Sequence, residues 1–273
     1  MLVVSLALKK FHDKLYQTFE QKEVYVRKGS LARIRLRSLL EILNQLQGKT
    51  VLDVGCAEGV FTLSMARIRS FCVGLDFVKV SLMRLRGAAA RKMRSNIGVI
   101  LSDAHYLPIR NKSFDIVLCG EVLEHVLKPE EVLSELKRVA KLYVVLSVPC
   151  VEFARKKRYL NYDNQKMESR LRHLLQTTKT THIHTFTIID VSRMINNAGL
   201  EIYSLNRVLF TVPGLALMMT LFPSLERMAY QVNKRLLSRI PLCEIPHTGF
   251  GNKYIISVCK VDNPKPRDTQ TED

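Results

Sequence analysis

The stretch Thr50-Val51-Leu52-Asp53-Val54-Gly55-Cys56-Ala57-Glu58-Gly59-Val60-Phe61 sets an acid near the end of an apolar run and follows it with two glycines four residues apart. It reads as a buried strand, a turn too tight for side chains, and the first turn of a helix. Such a turn brings bare backbone against a ligand. A dinucleotide fold wants G-x-G-x-x-G, so that a pyrophosphate can sit on the helix N-terminus. Here Ala57 holds the middle position and Val60 stands where the third glycine belongs. A pyrophosphate is therefore a poor fit. An acid at the mouth of the strand favours a ligand carrying a positive group there, such as an amino-acid ammonium.

Three further acids follow in order. Phe71-Cys72-Val73-Gly74-Leu75-Asp76 is a second buried strand ending in a carboxylate, which can bind both hydroxyls of a ribose or, alternatively, cap a helix. A third apolar run, residues 97–102, ends in Asp103-Ala104. A fourth, Ser113-Phe114-Asp115-Ile116-Val117-Leu118-Cys119, leads into Gly120-Glu121-Val122-Leu123-Glu124-His125-Val126. The histidines able to move a proton are His125, just past that strand, and His182 and His184 in Thr181-His182-Ile183-His184-Thr185. His125 can equally cap a helix, and the H-x-H pair can simply bond backbone carbonyls. H-x-H also has metal-ligand spacing, but no third ligand is evident in the sequence, so no metal is expected.

Helical spacing over residues 60–68, 78–91 and 129–139 separates these strands, and the last helix opens on Pro129 with Glu130 and Glu131 beside it. Residues 142–147 form a fifth strand. Thr187-Ile188-Ile189-Asp190 is a capping box whose helix Gly199 closes, and residues 200–209 and 254–261 supply two final strands. Strands alternating with helices predict a doubly wound, mostly parallel α/β sheet with its ligand sites at the carboxyl ends of the strands. Asp53, Asp76, Asp103 and Gly120 all fall at such ends, so one crevice collects them.

The four motifs, in this order and spacing, resemble those of class I S-adenosylmethionine (SAM)-dependent methyltransferases, firmly over residues 48–149 and more weakly over 181–199. The Phe-Asp before the fourth strand and the Leu-Glu-His after it are similar to the branch of ubiquinone and menaquinone methyltransferases and their small-molecule relatives. The resemblance implies a Rossmann-like seven-stranded sheet whose last two strands form an antiparallel edge. It implies SAM as cofactor, held by Asp53, Gly55, Cys56, Ala57, Gly59, Asp76, Phe77, Asp103, Ala104, Gly120 and Glu121. Asp76 would take the ribose, Asp103 the adenine amino group, and Glu121 would lie near the methionine end. Ala57 departs from the usual middle glycine, an exchange that requires an unstrained backbone there. In the branch resembled, a histidine-rich segment before the sixth helix faces the acceptor pocket, which makes His125, His182 and His184 the candidate catalytic groups.

A chain of 273 residues, 47% of them hydrophobic, can bury one full α/β core. Residues 1–47 read as a helical cover over the cofactor cleft, 48–262 as the methyltransferase domain, 151–180 and 213–246 as insertions near the acceptor site, and 263–273 as a disordered tail. Six cysteines without a C-x-x-C pair fit buried thiols in a reducing compartment, and the apolar start is too short for a signal peptide, so the cytoplasm is the expected location. Residues 208–225 carry no charge but are broken by Pro213, Gly214 and Pro223, which argues against a membrane-spanning helix. The amphipathic stretch 225–240 reads either as a lid or as a helix lying on anionic lipid. The net charge of +17 leaves nucleic acid, anionic membrane and acidic substrates open as partners.

Transfer from a sulfonium is an in-line displacement by a lone pair, so neither a metal nor a covalent enzyme intermediate is required, and a base is needed only if the acceptor must lose a proton. Against nucleic acid, Gly120-Glu121-Val122-Leu123 stands where base-amine enzymes carry a Pro-Pro-aromatic run, and Pro149-Cys150 follows the fifth strand rather than serving as a nucleophile. The expected acceptor is a small molecule, hydrophobic or lipid-linked in view of the apolar insertion. An RNA methyltransferase and a non-catalytic SAM-binding module are the alternatives. The sequence leaves the oligomeric state open.

Overall fold

The structure is a computed structural model in which residues 29–149, 182–210 and 252–261 are described. The elements run α1 (Gly29–Gln45), β1 (Thr50–Val54), α2 (Val60–Met65), β2 (Phe71–Asp76), α3 (Lys79–Arg91), β3 (Ile97–Leu101), β4 (Phe114–Gly120), α4 (Pro129–Val139), β5 (Ala140–Pro149), α5 (Ile188–Asn197), β6 (Glu201–Phe210) and β7 (Asn252–Lys260). The strands form one seven-stranded sheet in the order β3-β2-β1-β4-β5-β7-β6. The first five pair in parallel, and β7 runs antiparallel between β5 and β6.

Central strands buried on both faces are predominantly apolar, and in β1 Val51, Leu52 and Val54 are fully buried, with Asp53 the buried exception. Their alternation divides the core into two layers. Leu52, Val54, Val117, Cys119, Val144 and Leu146 face one side with Leu133 and Leu136 of α4 and Met194 and Ile195 of α5. Val51, Ile116, Leu118 and Val145 face the other with Leu39 and Leu43 of α1 and Phe61 and Met65 of α2. The described part of the expected N-terminal cover, α1, packs as a layer helix on the sheet. Its last carbonyls, on Leu43 and Leu46, accept hydrogen bonds from the Arg69 guanidinium, which satisfies orphan groups at the helix end. Residues 1–28, the insertions at 151–180 and 213–246, and the tail lie outside the described residues.

Two polar clamps fix the strands that carry the site. Asp115 Oδ2 accepts the N–H groups of Lys49 (2.7 Å) and Thr50 (3.0 Å), while the Thr50 hydroxyl accepts the Asp115 N–H at 2.9 Å, locking the start of β1 to the start of β4. Burial opposes the Asp115 charge, but these bonds and Lys141 prevail and hold its carboxyl below the usual value. Arg138 donates to Glu135 and to the carbonyls of Leu107 and Ile109, and Glu135 accepts the Leu107 N–H, so the loop after β3 is tied to α4. The capping box on α5 forms as expected: Asp190 N–H reaches Thr187 Oγ1 at 3.2 Å and Thr187 N–H reaches Asp190 Oδ2 at 2.9 Å. Strand β5 runs past both ends of the expected 142–147, because its pairing with β4 and β7 continues along the whole edge.

Candidate active site

The order of strands reverses between β1 and β4, and the crevice at that switch point lies at the carboxyl ends of the parallel strands. The turn after β1 uses its own N–H groups internally. Gly55 and Cys56 donate to Leu75 O at 2.7 and 3.0 Å, Gly59 donates to Cys56 O at 2.8 Å, and Ala57 donates to Asp76 Oδ2 at 2.8 Å. With these donors consumed, the turn is no anion hole. What it offers a ligand is oxygen, and oxygen suits a cation.

Gly55 sits at φ +73, and a Cβ there would run into Val122 of the loop after β4. The glycine thus serves close approach between two strand exits as well as the turn itself. Ala57 corrects the sequence-based expectation. Its φ is +47, so the position a glycine usually fills is left-handed, and the methyl group carries a cost of about 1 kcal/mol. Glu121 is held the same way at φ +59, with its N–H on Ser147 O at 2.8 Å and its Oε1 accepting from Ser147 Oγ at 2.8 Å. Two strained non-glycine residues thus sit on facing loops of one crevice.

Asp53 is 3% exposed. Its Oδ2 accepts both the N–H (3.0 Å) and the hydroxyl (2.6 Å) of Thr62 on α2, and no hydrogen bond reaches Oδ1 among the described residues. Burial pushes its carboxyl up to about 6, the Thr62 bonds limit the rise, and the Asp76 charge adds to it. Asp76, 6% exposed, accepts Ala57 N–H on one oxygen and Val78 N–H (2.9 Å) on the other. Asp76 is not the helix cap of the alternative reading: Val78 is the N-cap of α3, and Asp76 accepts its N–H from two residues before. Asp103 follows β3 and binds both the backbone N–H (2.9 Å) and the Nδ1 (2.6 Å) of His105, which steadies the loop that Ala104 joins to the core. Cys56 is buried with its thiol raised by burial and the two neighbouring acids, Phe77 is half-buried, and Gly120 ends β4 with open space on its Cβ side out to Phe61 at 4.0 Å.

The histidines divide. His184 is 2% exposed, donates from Nε2 to Val126 O at 2.9 Å, and is held neutral by burial, so it supports the loop from behind. His125 and His182 instead meet edge to face, with ring centroids 4.8 Å apart. The two histidines of the H-x-H pair do not converge on one point. His182 and His184 point into different surroundings, and Glu124 and His125 complete a cluster with His182. Sequence reading also missed Thr62, the partner of Asp53. A polar residue set between Phe61 and Leu63 was the available sign, and the structure buries it completely.

The family model described as a methyltransferase domain matches residues 45–198, more than half of the chain. The chain belongs to this methyltransferase family. Among its relatives is the ubiquinone biosynthesis O-methyltransferase of Aliivibrio fischeri (strain MJ11), 33% identical over 135 residues that make up 49% of this chain and 57% of that protein. The protein of the same name from Vibrio cholerae is 33% identical over 136 residues, 49% of this chain and 55% of its own length. The chain spans little more than half the length of the curated relatives it matches. Among solved structures, a SAM-dependent methyltransferase of Thermotoga maritima superposes with a TM-score of 0.57 at 15% identity, covering 93% of this chain and 99% of that one. One of Mesorhizobium loti gives 0.56 at 15% identity, covering 83% and 97%. The sheet thus has the class I fold of those SAM-dependent methyltransferases. The cradle fits that cofactor: a turn whose Gly55, Cys56, Ala57 and Gly59 N–H groups are taken, beside two buried carboxylates, suits a ligand bearing an ammonium and a sulfonium. No helix among the described residues is long and apolar enough to cross a membrane.

Proposed function

We propose that this methyltransferase transfers a methyl group to an oxygen of a small, apolar acceptor. When bound, SAM supplies a methyl carbon on a sulfonium that departs as a neutral thioether. Asp53 Oδ1 receives the ammonium of the methionine half, Asp76 the ribose hydroxyls, and Asp103 with Ala104 the adenine edge. Glu121 closes the methionine end opposite the Gly55 turn. Backbone rigidity at Ala57 and Glu121 keeps these groups in place without reorganisation at the moment of transfer, which is where positioning lowers the barrier. The acceptor enters past Gly120 toward His125 and His182, and loss of its proton falls to the cluster those residues form with Glu124.

The observation that carries this reading is the turn whose Gly55, Cys56, Ala57 and Gly59 N–H groups are bonded within the protein beside two buried acids, because it favours a cationic cofactor over a phosphate. Similarity to proteins named for ubiquinone biosynthesis supports an oxygen acceptor on a small molecule. The uncharged run at 208–225 supports an apolar or lipid-linked one. Incubation with methyl-labelled SAM and a host extract, followed by separation of lipid, small-molecule, RNA and protein fractions, tests it. Label in the lipid or small-molecule fraction is expected; label in RNA alone would overturn the acceptor class, and none anywhere would overturn catalysis.

A further inference from the structure

The sheet ends on two edge strands, β3 and β6, and they are built differently. A sheet edge presents unpaired backbone N–H and C=O groups, and charge, proline or a bulge ordinarily blunts it. Strand β6 carries two of those devices: Glu201 and Arg207 lie in its sequence, and its register against β7 shifts between Ile202 and Ser204. Strand β3, Ile97-Gly98-Val99-Ile100-Leu101, carries none of them. It has no charge and no proline, and its register against β2 runs unbroken from Cys72 opposite Ile97 to Asp76 opposite Leu101. At the two ends of that ladder Cys72 N–H donates to Asn96 O at 2.9 Å and Ser102 N–H donates to Asp76 O at 3.0 Å. Successive residues of a strand aim their backbone groups to opposite sides. The N–H and C=O groups of Ile97, Val99 and Leu101 therefore point away from β2, toward a side on which no further strand pairs among the described residues.

The surroundings select what can pair there. Phe71, Met93 and Leu101, at 42%, 92% and 51% exposure, leave apolar surface beside the edge. A Cβ on Gly98 would press on Val73 and on the Phe71 ring at 3.3 and 3.4 Å, so that face of β3 is kept flat. No acidic residue lies between Asp76 and Asp103, while Arg91, Lys92 and Arg94 stand at the end of α3 and in the turn that leads into β3. A bilayer would leave the outward backbone groups without partners, and a second copy of the chain would bring its own three cations to the same rim. We propose that the open edge of β3 docks an extended, acidic segment of a partner protein, which joins the sheet as an outer strand. Backbone bonds at Ile97, Val99 and Leu101 set its register, its apolar side chains rest against Phe71 and Leu101, and its carboxylates meet Arg91, Lys92 and Arg94. Strand β2 separates this edge from β1 and the switch point beside it, so a docked strand leaves the cofactor crevice open.

The test is fluorescence anisotropy of the full chain with a labelled synthetic peptide in which Glu alternates with Val, beside a control peptide with Lys in place of Glu. Saturable binding of the Glu peptide, weakened by salt, is expected, with none of the Lys peptide. Leu101→Pro removes one outward N–H at an exposed position and spares the ladder with β2, so it should weaken the Glu peptide roughly threefold to tenfold and keep the parent's melting transition. Arg91→Glu combined with Lys92→Glu, both on exposed side chains, should reverse the preference between the two peptides, and this variant decides if Leu101→Pro fails to fold. Absence of saturable binding at millimolar Glu peptide, equal affinity for the two peptides, or an unchanged affinity in folded Leu101→Pro overturns the proposal. Slow hydrogen exchange at Ile97, Val99 and Leu101 in the dilute, peptide-free chain would show the edge already filled by the chain itself, and a dimer in sedimentation that Leu101→Pro abolishes would assign it to a second copy; either result overturns the acidic partner.

Discussion

Asp53→Asn separates what this site costs the fold from what it gives the cofactor. The carboxyl titrates at about 6 in the folded chain against an ordinary 3.8, because it is buried and faces Asp76. Below pH 3.8 both folded and unfolded chains hold the proton, and the residue is neutral to stability. As pH rises toward 6 the unfolded chain releases its proton first, so the folded state binds more protons and stability falls. The penalty reaches about 1 kcal/mol at pH 4.5 and about 3 kcal/mol at pH 7.5. Asparagine keeps an oxygen for both Thr62 bonds and removes the charge. Calorimetric melting of Asp53→Asn should therefore show a gain of several degrees over the parent at pH 7.5, shrinking toward pH 4.5. Titration with SAM should show binding weakened by about 1 to 3 kcal/mol through loss of the ammonium partner. A variant no more stable than the parent at pH 7.5, with no growth of the difference across that window, would refute the buried-charge account of Asp53.

Three other substitutions probe the same frame. Asp76→Ala should weaken SAM by about 1 to 3 kcal/mol and also lower the melting temperature, since the Ala57 and Val78 N–H groups lose their acceptor; unchanged affinity by calorimetry would remove Asp76 from the cofactor site. Ala57→Gly relieves the left-handed methyl group and should raise stability by up to about 1 kcal/mol in urea denaturation, and a loss of stability would show that the methyl packs favourably enough to outweigh its strain. Asp115→Ala releases the clamp between β1 and β4 and should cost about 1 to 3 kcal/mol, with an unmoved urea midpoint as the contrary result.

The parallel core was legible because each strand is a continuous apolar run and each connecting helix has its own spacing or cap. Thr187, Asp190 and Gly199 marked α5 to within a residue. The acids at the strand ends were legible for the same reason, since a polar residue closing an apolar run must face the crevice or find a partner. What the sequence hid was set by tertiary geometry. Nothing local at Ala57 announces φ +47, which is imposed by Asp76 taking its N–H from nineteen residues away. His182 and His184 look equivalent as an H-x-H pair, but alternate residues of an extended segment separate once one ring is drawn beneath the loop after β4. The side on which α1 packs is likewise decided by the sheet face that its Leu39 and Leu43 meet, formed by Val51, Ile116, Leu118 and Val145, not by its helical pattern alone.

The central claim is that the oxygen-rich turn after β1 and the carboxylates beside it hold SAM. Isothermal titration of the full chain with adenosylhomocysteine at pH 7.5, repeated with a nicotinamide dinucleotide, addresses it most directly. A saturating single-site heat curve for adenosylhomocysteine and none for the dinucleotide is the predicted result. A flat titration with adenosylhomocysteine, or preference for the dinucleotide, would contradict it.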